Sequence, residues 1–439
     1  MPVFNFANVW EPIAAAIPDR PAQIKGPREV SWGEWDRRAN ALARRFLDLG
    51  LRQQSKVAAY LYNCPEYLET YYAAFKAGLA PVNTNYRYVA DELIYLFDNA
   101  DAEAVVFHAS FAPTVDEIRG RLPKVKAWIA VAEPGHPVPP FAEDYDAIVA
   151  ANEGRVEAPW GRTNDDLLIL YTGGTTGMPK GVMWRAEDLF FVLGGGGNFF
   201  LGTPPCERPE QAAERVVAAI TSGDPISGPM VNIAAAPLMH GTAQFSGMIG
   251  LVAGGSVASL PGASFNAIEL WSEIERLKAG SVSIVGMAFA QPMLEALDAN
   301  PGRWDLSSLR RIGSSGTVWS MENKQGLLRH LPTCSIFDSL GSSEAVGLGA
   351  SASTADGTTE TAKFMVTPNS ACFTEDGRRV EPGSGERGLL AVSGYLPLGY
   401  YKDQEKTDRT FRTFEGRRWS VPGDWATVEA DGSLKLLGR

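Results

Sequence analysis

Straight after the apolar run Leu167–Leu170 the chain reads Tyr171-Thr172-Gly173-Gly174-Thr175-Thr176-Gly177-Met178-Pro179-Lys180-Gly181. Glycines let consecutive backbone N–H groups turn inward into an anion-binding nest, the threonine hydroxyls add donors, and Lys180 adds charge. A loop of this make-up at the end of a strand suits a polyphosphate. It is not of the Walker type, because no G-x-x-x-x-G-K-[ST] spacing can be drawn through it.

The surrounding pattern is that of an α/β chain. Apolar Trp35, Ala39, Leu42, Ala43, Phe46 and Leu49 recur at three- and four-residue steps through Trp32 to Leu49, with Arg37, Arg38, Arg44 and Asp48 between them. This predicts an amphipathic helix. Lys56–Tyr62 follows as a strand, Pro65–Ala77 as a helix and Ala80–Asn83 as an extended segment, an alternation that signals a mainly parallel sheet. A second α/β lobe is expected with strands at Leu167–Tyr171, Asn232–Ala236, Gly255–Leu260, Ser281–Val285 and Ser335–Phe337. Its helices are placed at Ala267–Lys278 and Ala290–Asp298. Beyond about Ala350, short β-prone runs are divided by turn signals at Asp376-Gly377, Pro382-Gly383 and Asp431-Gly432, which predicts a small β-rich subdomain. The expected division is 1–164, 165–349 and 350–437, with 202–229 a long surface insertion around a short helix at Gln211–Ala219.

Composition narrows the function classes. The 439 residues are 45% hydrophobic and 21% charged, as in an ordinary globular enzyme, and 40 Lys plus Arg against 51 Asp plus Glu leave a net charge of −11. No basic run tracks a nucleic-acid backbone, so nucleic acid is a poor partner. An anionic substrate must be held by local devices against an unfavourable overall field. Cys64, Cys206, Cys334 and Cys372 are far apart and form no C-x-x-C pair, which points to thiols in a reducing compartment. No basic leader and no run of about 18 apolar residues is present, so a cytoplasmic protein is expected, with peripheral membrane contact and a homodimer left open.

The Tyr171–Gly181 loop resembles the phosphate motif of the adenylate-forming superfamily: acyl-CoA synthetases, luciferases and adenylation domains of peptide synthetases. Further matches follow in the family's order along nearly the whole chain. They are Val30-Ser31-Trp32 to Ala43, Lys76-Ala77-Gly78 to Asn83, Pro237-Leu238-Met239-His240, Gly341-Ser342-Ser343-Glu344, Gly385-Glu386 to Tyr400, Gly423-Asp424 and Gly438-Arg439. The resemblance implies two α/β lobes with mainly parallel sheets plus a small β-rich subdomain. It also implies that Gly438-Arg439 begins a hinge to a mobile domain not in this chain, so that these residues alone would be poorly active.

Family members join a carboxylate to the α-phosphate of ATP, release pyrophosphate, and pass the acyl group to a thiol. ATP, Mg²⁺ and CoA are therefore the implied cofactors and co-substrates. The resemblance implies that Thr172, Gly173, Gly174, Thr175, Thr176, Gly177 and Lys180 hold the phosphates, and that Glu344 with Thr172 holds Mg²⁺. Adenine would lie between Ser315-Gly316-Thr317 and Asp338-Ser339-Leu340, continuing to Gly341, Ser342 and Ser343. Asp424 and Arg439 would take the ribose. Leu340 stands where the family usually has an aromatic ring, and Ala186 where many members have a polar residue. His240 matches a residue at the meeting point of acyl group and thiol. Gly286, Met287 and Ala288 would line the acyl site, with Phe289 and Met293 either beside them or in the core.

Lys180–Trp184 and Gly286–Pro292 look closest to actinobacterial synthetases for long fatty acids and steroid side-chain acids. The small Gly286 and Ala288 suggest a roomy acyl pocket. Two other functions remain open: an acyl-AMP ligase that loads a carrier protein, and a non-catalytic nucleotide- or lipid-binding module. A hydrolase is disfavoured, since no G-x-S-x-G elbow occurs.

Overall fold

The computed structural model describes residues 1–152, 154–174, 177–197, 204–223 and 228–438. Among these, strands form two sheets, one of 15 and one of eight strands. In the smaller sheet the strands Leu167–Gly174, Ala80–Asn83, Lys56–Tyr60, Ala102–His108 and Ala127–Val131 run parallel side by side. The strand Gly177–Arg185 turns back antiparallel on Leu167–Gly174. In the larger sheet Pro21–Lys25, Ser256–Ser259, Val231–Ala234, Ser281–Ile284, Arg311–Ser315 and Ser335–Ser342 are parallel neighbours in that order.

Both parallel sheets are covered on two faces, and the sequence shows it as apolar runs whose alternate residues enter different cores. Leu168 and Leu170 enter one cluster while Ile169 and Tyr171 enter another. Ala234 and Val257 join the first of these, whereas Ile233 and Ala258 join a third. The first cluster is thus shared by the two sheets, and helices fill it. Phe6–Ala16, Trp32–Asp48 and Pro65–Lys76 contribute Trp10, Trp35, Tyr67 and Tyr71. Every residue of Pro65–Lys76 is buried. The expected helix at Trp32 starts where Ser31 accepts a hydrogen bond from the Glu34 N–H at 3.2 Å, an N-cap that satisfies an orphan donor.

The β-rich region is antiparallel and continues the larger sheet through Ala345–Ser353, Lys363–Val366, Leu434–Gly438, Trp425–Val428 and Arg387–Ser393. Sheet membership crosses the expected division at residue 164. Pro21–Lys25 and Arg28–Ser31 lie in the larger sheet, and Leu167–Gly174 and Gly177–Arg185 in the smaller one. The two-residue strand Gly399–Tyr400 leaves the β-rich region to pair with Gly177–Arg185. Among the described residues no helix is long and apolar enough to cross a membrane.

Candidate active site

The expected phosphate loop is the end of a β-hairpin. Thr172 is paired with Lys180 and Gly174 with Gly177, with an irregularity between Thr172 and Gly174. Gly173 and Gly177 are exposed, as a loop that presents backbone N–H groups must be. Thr175 and Thr176 lie outside the described residues, as does Arg439. The returning strand was not anticipated, although Val182 and Trp184, both fully buried, alternate with less buried Met183 and Arg185. Its Gly-Met-Pro-Lys-Gly opening hid a period of two.

Four adjacent parallel strands of the larger sheet deliver the segments expected for the acyl group, adenine and Glu344 at their carboxyl ends. After Val231–Ala234 comes Pro237–His240, after Ser281–Ile284 comes Gly286–Ala288, after Arg311–Ser315 come Gly316 and Thr317, and Ser335–Ser342 runs into Glu344. Ser315 is in register with Ser339, so the two expected adenine segments are neighbours. The Gly286 N–H donates to Ser314 Oγ at 2.9 Å, and the Ala236 N–H to the Ser283 carbonyl at 3.0 Å. In open α/β sheets, the carboxyl ends of the strands are where ligands bind.

Along Ser335–Ser342 the side chains alternate: Asp338 is buried, while Phe337 and Ser339 are exposed. Asp338 meets Lys324 at 3.1 Å, with both side chains almost wholly buried. Burial pushes the Asp338 carboxyl up, and the Lys324 charge opposes that shift. Leu340, Gly341 and Ser342 are half-buried, and Ser342 Oγ is buried without a hydrogen-bond partner among the described residues.

Ser343 and Glu344 form the two-residue connection to Ala345–Ser353, since Ser342 pairs with Ala345. Glu344 is nonetheless buried, because Tyr400 donates its hydroxyl to Oε1 at 2.7 Å and Ser420 Oγ donates to the Glu344 carbonyl at 2.7 Å. Trp184 Nε1 donates to the Ser343 carbonyl at 3.0 Å, tying this turn to the phosphate hairpin. Lys180 Nζ lies 2.8 Å from Asp403 Oδ2, and this hydrogen bond raises the Lys180 pKa. Asp424 stands before the strand Trp425–Val428, its carbonyl accepting from the Leu390 N–H at 2.8 Å.

His240 is the N-cap residue of the helix Gly241–Val252, with no side-chain cap bond. It is accessible to solvent, yet enough protein surrounds the ring to disfavour its charged form. That desolvation, aided by the Arg87 charge, lowers its pKa. Two asparagines hold the preceding turn. Asn63 Nδ2 donates to the carbonyls of Ala234 and Ala236 and its Oδ1 accepts from the Leu238 N–H. Asn83 Nδ2 donates to the carbonyls of Met239 and Tyr171, and its Oδ1 accepts from the Tyr171 N–H.

The small volume at Gly286 is not spare room. A Cβ there would sit 1.8 Å from Thr317 Oγ1, and φ is +52° with ψ −148°, a conformation open essentially to glycine alone. Ala288 is exposed and Met287 half-buried. Met293 is fully buried in the cluster beneath the sheet, so it is a core residue, while Phe289 packs at the junction of two clusters.

Through Trp184 the Gly/Thr hairpin is bonded to the turn that follows a strand end of the larger sheet, the edge at which open α/β sheets take ligands. The sequence pattern of AMP-binding enzymes matches residues 10–401, and the chain belongs to that family. It is 39% identical to a medium/long-chain-fatty-acid–CoA/3-oxocholest-4-en-26-oate–CoA ligase of Mycolicibacterium smegmatis, over 99% of this chain and 78% of the relative. It is 38% identical to a 3-oxocholest-4-en-26-oate–CoA ligase of Rhodococcus rhodochrous, with the same coverage of both chains. The fold is similar to that of a long-chain-fatty-acid-CoA ligase from Archaeoglobus fulgidus, with a TM-score of 0.79 at 19% identity, covering 100% of this chain and 84% of that one.

Proposed function

We propose that the protein is an AMP-forming acid–thiol ligase, an ATP-dependent acyl-CoA synthetase for an apolar carboxylic acid of the long-chain fatty or steroid side-chain class. The observation that carries this is the alignment of Pro237–His240, Gly286–Ala288, Ser315–Thr317 and Ser339–Glu344 on four adjacent strand ends, bonded to the phosphate hairpin through Trp184. The ligase activities of the two actinobacterial relatives support the substrate class.

In this reading the substrate carboxylate attacks the α-phosphorus of ATP, pyrophosphate departs, and the CoA thiolate then displaces AMP from the acyl carbon. Two anions must meet in the first step. The Thr172–Lys180 segment, Thr175 and Thr176 included, is assigned to the departing phosphates, with Lys180 as its cation. Glu344 fits Mg²⁺, which takes one or two carboxylates and fills its shell with substrate phosphates and water. One oxygen of Glu344 accepts from the Tyr400 hydroxyl. Thr172 stands opposite Lys180 as the second metal-side group. Bound there, Mg²⁺ would neutralise charge on the phosphate oxygens. Adenine is assigned to the strand ends at Ser315, Gly316, Thr317, Ser339, Leu340, Gly341 and Ser342, with the Asp338 carboxylate committed to Lys324. Asp424 and Arg439 are assigned to the ribose. His240 is kept neutral near pH 7 and shapes the place where acyl group and thiol meet.

The test is pyrophosphate release by the full-length natural protein with a series of fatty and steroid acids, with and without CoA. Acid-dependent pyrophosphate release and CoA-dependent thioester formation are expected. Release that never yields a CoA thioester would reassign the acceptor to a carrier protein, and no release with any acid would refute the proposal.

A further inference from the structure

The segment 398–407 lies outside the nucleotide-binding residues named above, apart from the Tyr400 bond to Glu344, yet it touches both halves of the phosphate site. On one side it is laced to the hairpin. The Leu398 N–H donates to the Met183 carbonyl at 2.8 Å, the Tyr401 N–H to the Gly181 carbonyl at 2.7 Å, and Tyr400 is paired with Val182. Asp403 completes this side by meeting Lys180 Nζ at 2.8 Å. Asp403 is itself fixed, since its Oδ1 caps the helix Gln404–Thr410 by accepting from the Lys406 N–H at 3.0 Å. On the other side Tyr400 reaches Glu344, and its own backbone is held by Thr407 Oγ1, which accepts from the Tyr400 N–H at 2.9 Å. Gly399 lets the backbone pass so close: a Cβ there would meet Thr407 Cγ2 at 2.4 Å.

We infer that Tyr400 and Asp403 are positioning residues, a rigid strap that holds the Glu344 carboxylate and the Lys180 ammonium in fixed relation before nucleotide arrives. The inference rests on the proposed roles of Glu344 and Lys180. Left alone, a long lysine and a glutamate in a two-residue turn would each sample several rotamers, and ordering them on binding would weaken affinity. The strap removes that cost in advance. Partners that orient binding groups in this way are commonly worth ten- to a hundredfold in affinity.

The experiment is calorimetric titration of MgATP, without acid, into the parent protein and into Tyr400→Phe, Asp403→Asn and Glu344→Gln, each also followed through thermal unfolding. Tyr400→Phe and Asp403→Asn should each weaken MgATP by roughly tenfold, with the unfolding temperature unchanged. Replacing MgATP by ATP with EDTA separates the two. Tyr400→Phe acts through the metal-side carboxylate and should lose most of its defect, whereas Asp403→Asn acts through Lys180 and should keep it. If Glu344→Gln weakens MgATP while both other variants bind like the parent, the strap is refuted and the site reading stands. If Glu344→Gln also binds like the parent, the site reading falls and the strap with it. Weakening that appears only together with a lowered unfolding temperature would reduce the strap to a structural brace and overturn the inference.

Discussion

Replacing Gly286 by alanine adds one methyl group to a place where two independent costs fall due. Its φ of +52° and ψ of −148° suit glycine alone, and holding another residue there costs about 1–3 kcal/mol. The new Cβ would also lie 1.8 Å from Thr317 Oγ1 and 3.1 Å from Thr317 Cβ, so Thr317 must move, and overpacking of this kind costs about 1–3 kcal/mol. Together the change should destabilise by about 2–6 kcal/mol, which a urea titration followed by tryptophan fluorescence would read as a lowered midpoint. Adding Thr317→Ala removes the hydroxyl and should return only the steric part, about 1–3 kcal/mol. A neutral Gly286→Ala would refute the argument outright. Full recovery by Thr317→Ala would show that the backbone conformation costs nothing. If the predicted cost is found, a bulkier side chain at 286 would act on stability before it could act on the choice of acid.

His108 is buried, its Nδ1 accepts from the Tyr62 N–H, and burial lowers its pKa to about 4. The unfolded chain binds the proton first as pH falls, so stability should drop by about 2 kcal/mol between pH 7 and pH 5. Glu69, raised to about 7 by burial against the pull of Arg38, binds its proton first in the folded state and works in the opposite direction. The check is therefore the difference between parent and His108→Asn, which should close toward pH 5. Lys324→Met strands the buried Asp338 and should cost about 3–5 kcal/mol in urea unfolding, most of it returned by adding Asp338→Leu. A neutral Lys324→Met would mean that no charged pair is buried there. Asn83→Ala strands three buried backbone groups and should cost about 2–4 kcal/mol. It should raise KM for MgATP and for the acid together, and a change in only one would break the link between hairpin and His240 turn.

The parts legible in the sequence are those set by local periodicity. Six apolar positions at helical spacing placed Trp32–Asp48, and Pro65–Lys76 and Ala80–Asn83 fall where the pattern put them, because a helix or strand buries what its own period presents. The partners of the strands were not legible. Pro21–Lys25 pairs with Ser256–Ser259 across more than two hundred residues, and nothing local in either run encodes that choice. The candidate site divides in the same way. The strand-end segments could be located because each carries its own motif, whereas Asp403 and Tyr400 matter through contacts with Lys180 and Glu344 that only folding creates. Gly286 shows the converse error. A missing side chain reads as empty volume in a sequence, and in the folded chain Thr317 fills it.

The same dependence on distant contacts explains how two sheets can share one site. Pro237–His240 follows a strand of the larger sheet, but its turn is shaped by Asn63 and Asn83, which follow or end strands of the smaller one. A carboxamide suits this task because it offers donors and an acceptor on one short, uncharged arm, so it can satisfy carbonyls and an N–H of irregular backbone without burying a charge. Asn83 goes further, since it also brackets both backbone groups of Tyr171, the residue next to Thr172 in the phosphate hairpin. One side chain therefore sets the hairpin strand and the His240 turn against each other. A shift of one sheet against the other would break the Asn83–Met239 bond together with the three that Asn63 makes to Ala234, Ala236 and Leu238, each worth about 1 kcal/mol and more if a partner is left unpaired. The hairpin and the His240 turn are thereby held at a fixed separation, as the proposed reaction joining a carboxylate to a phosphate would require.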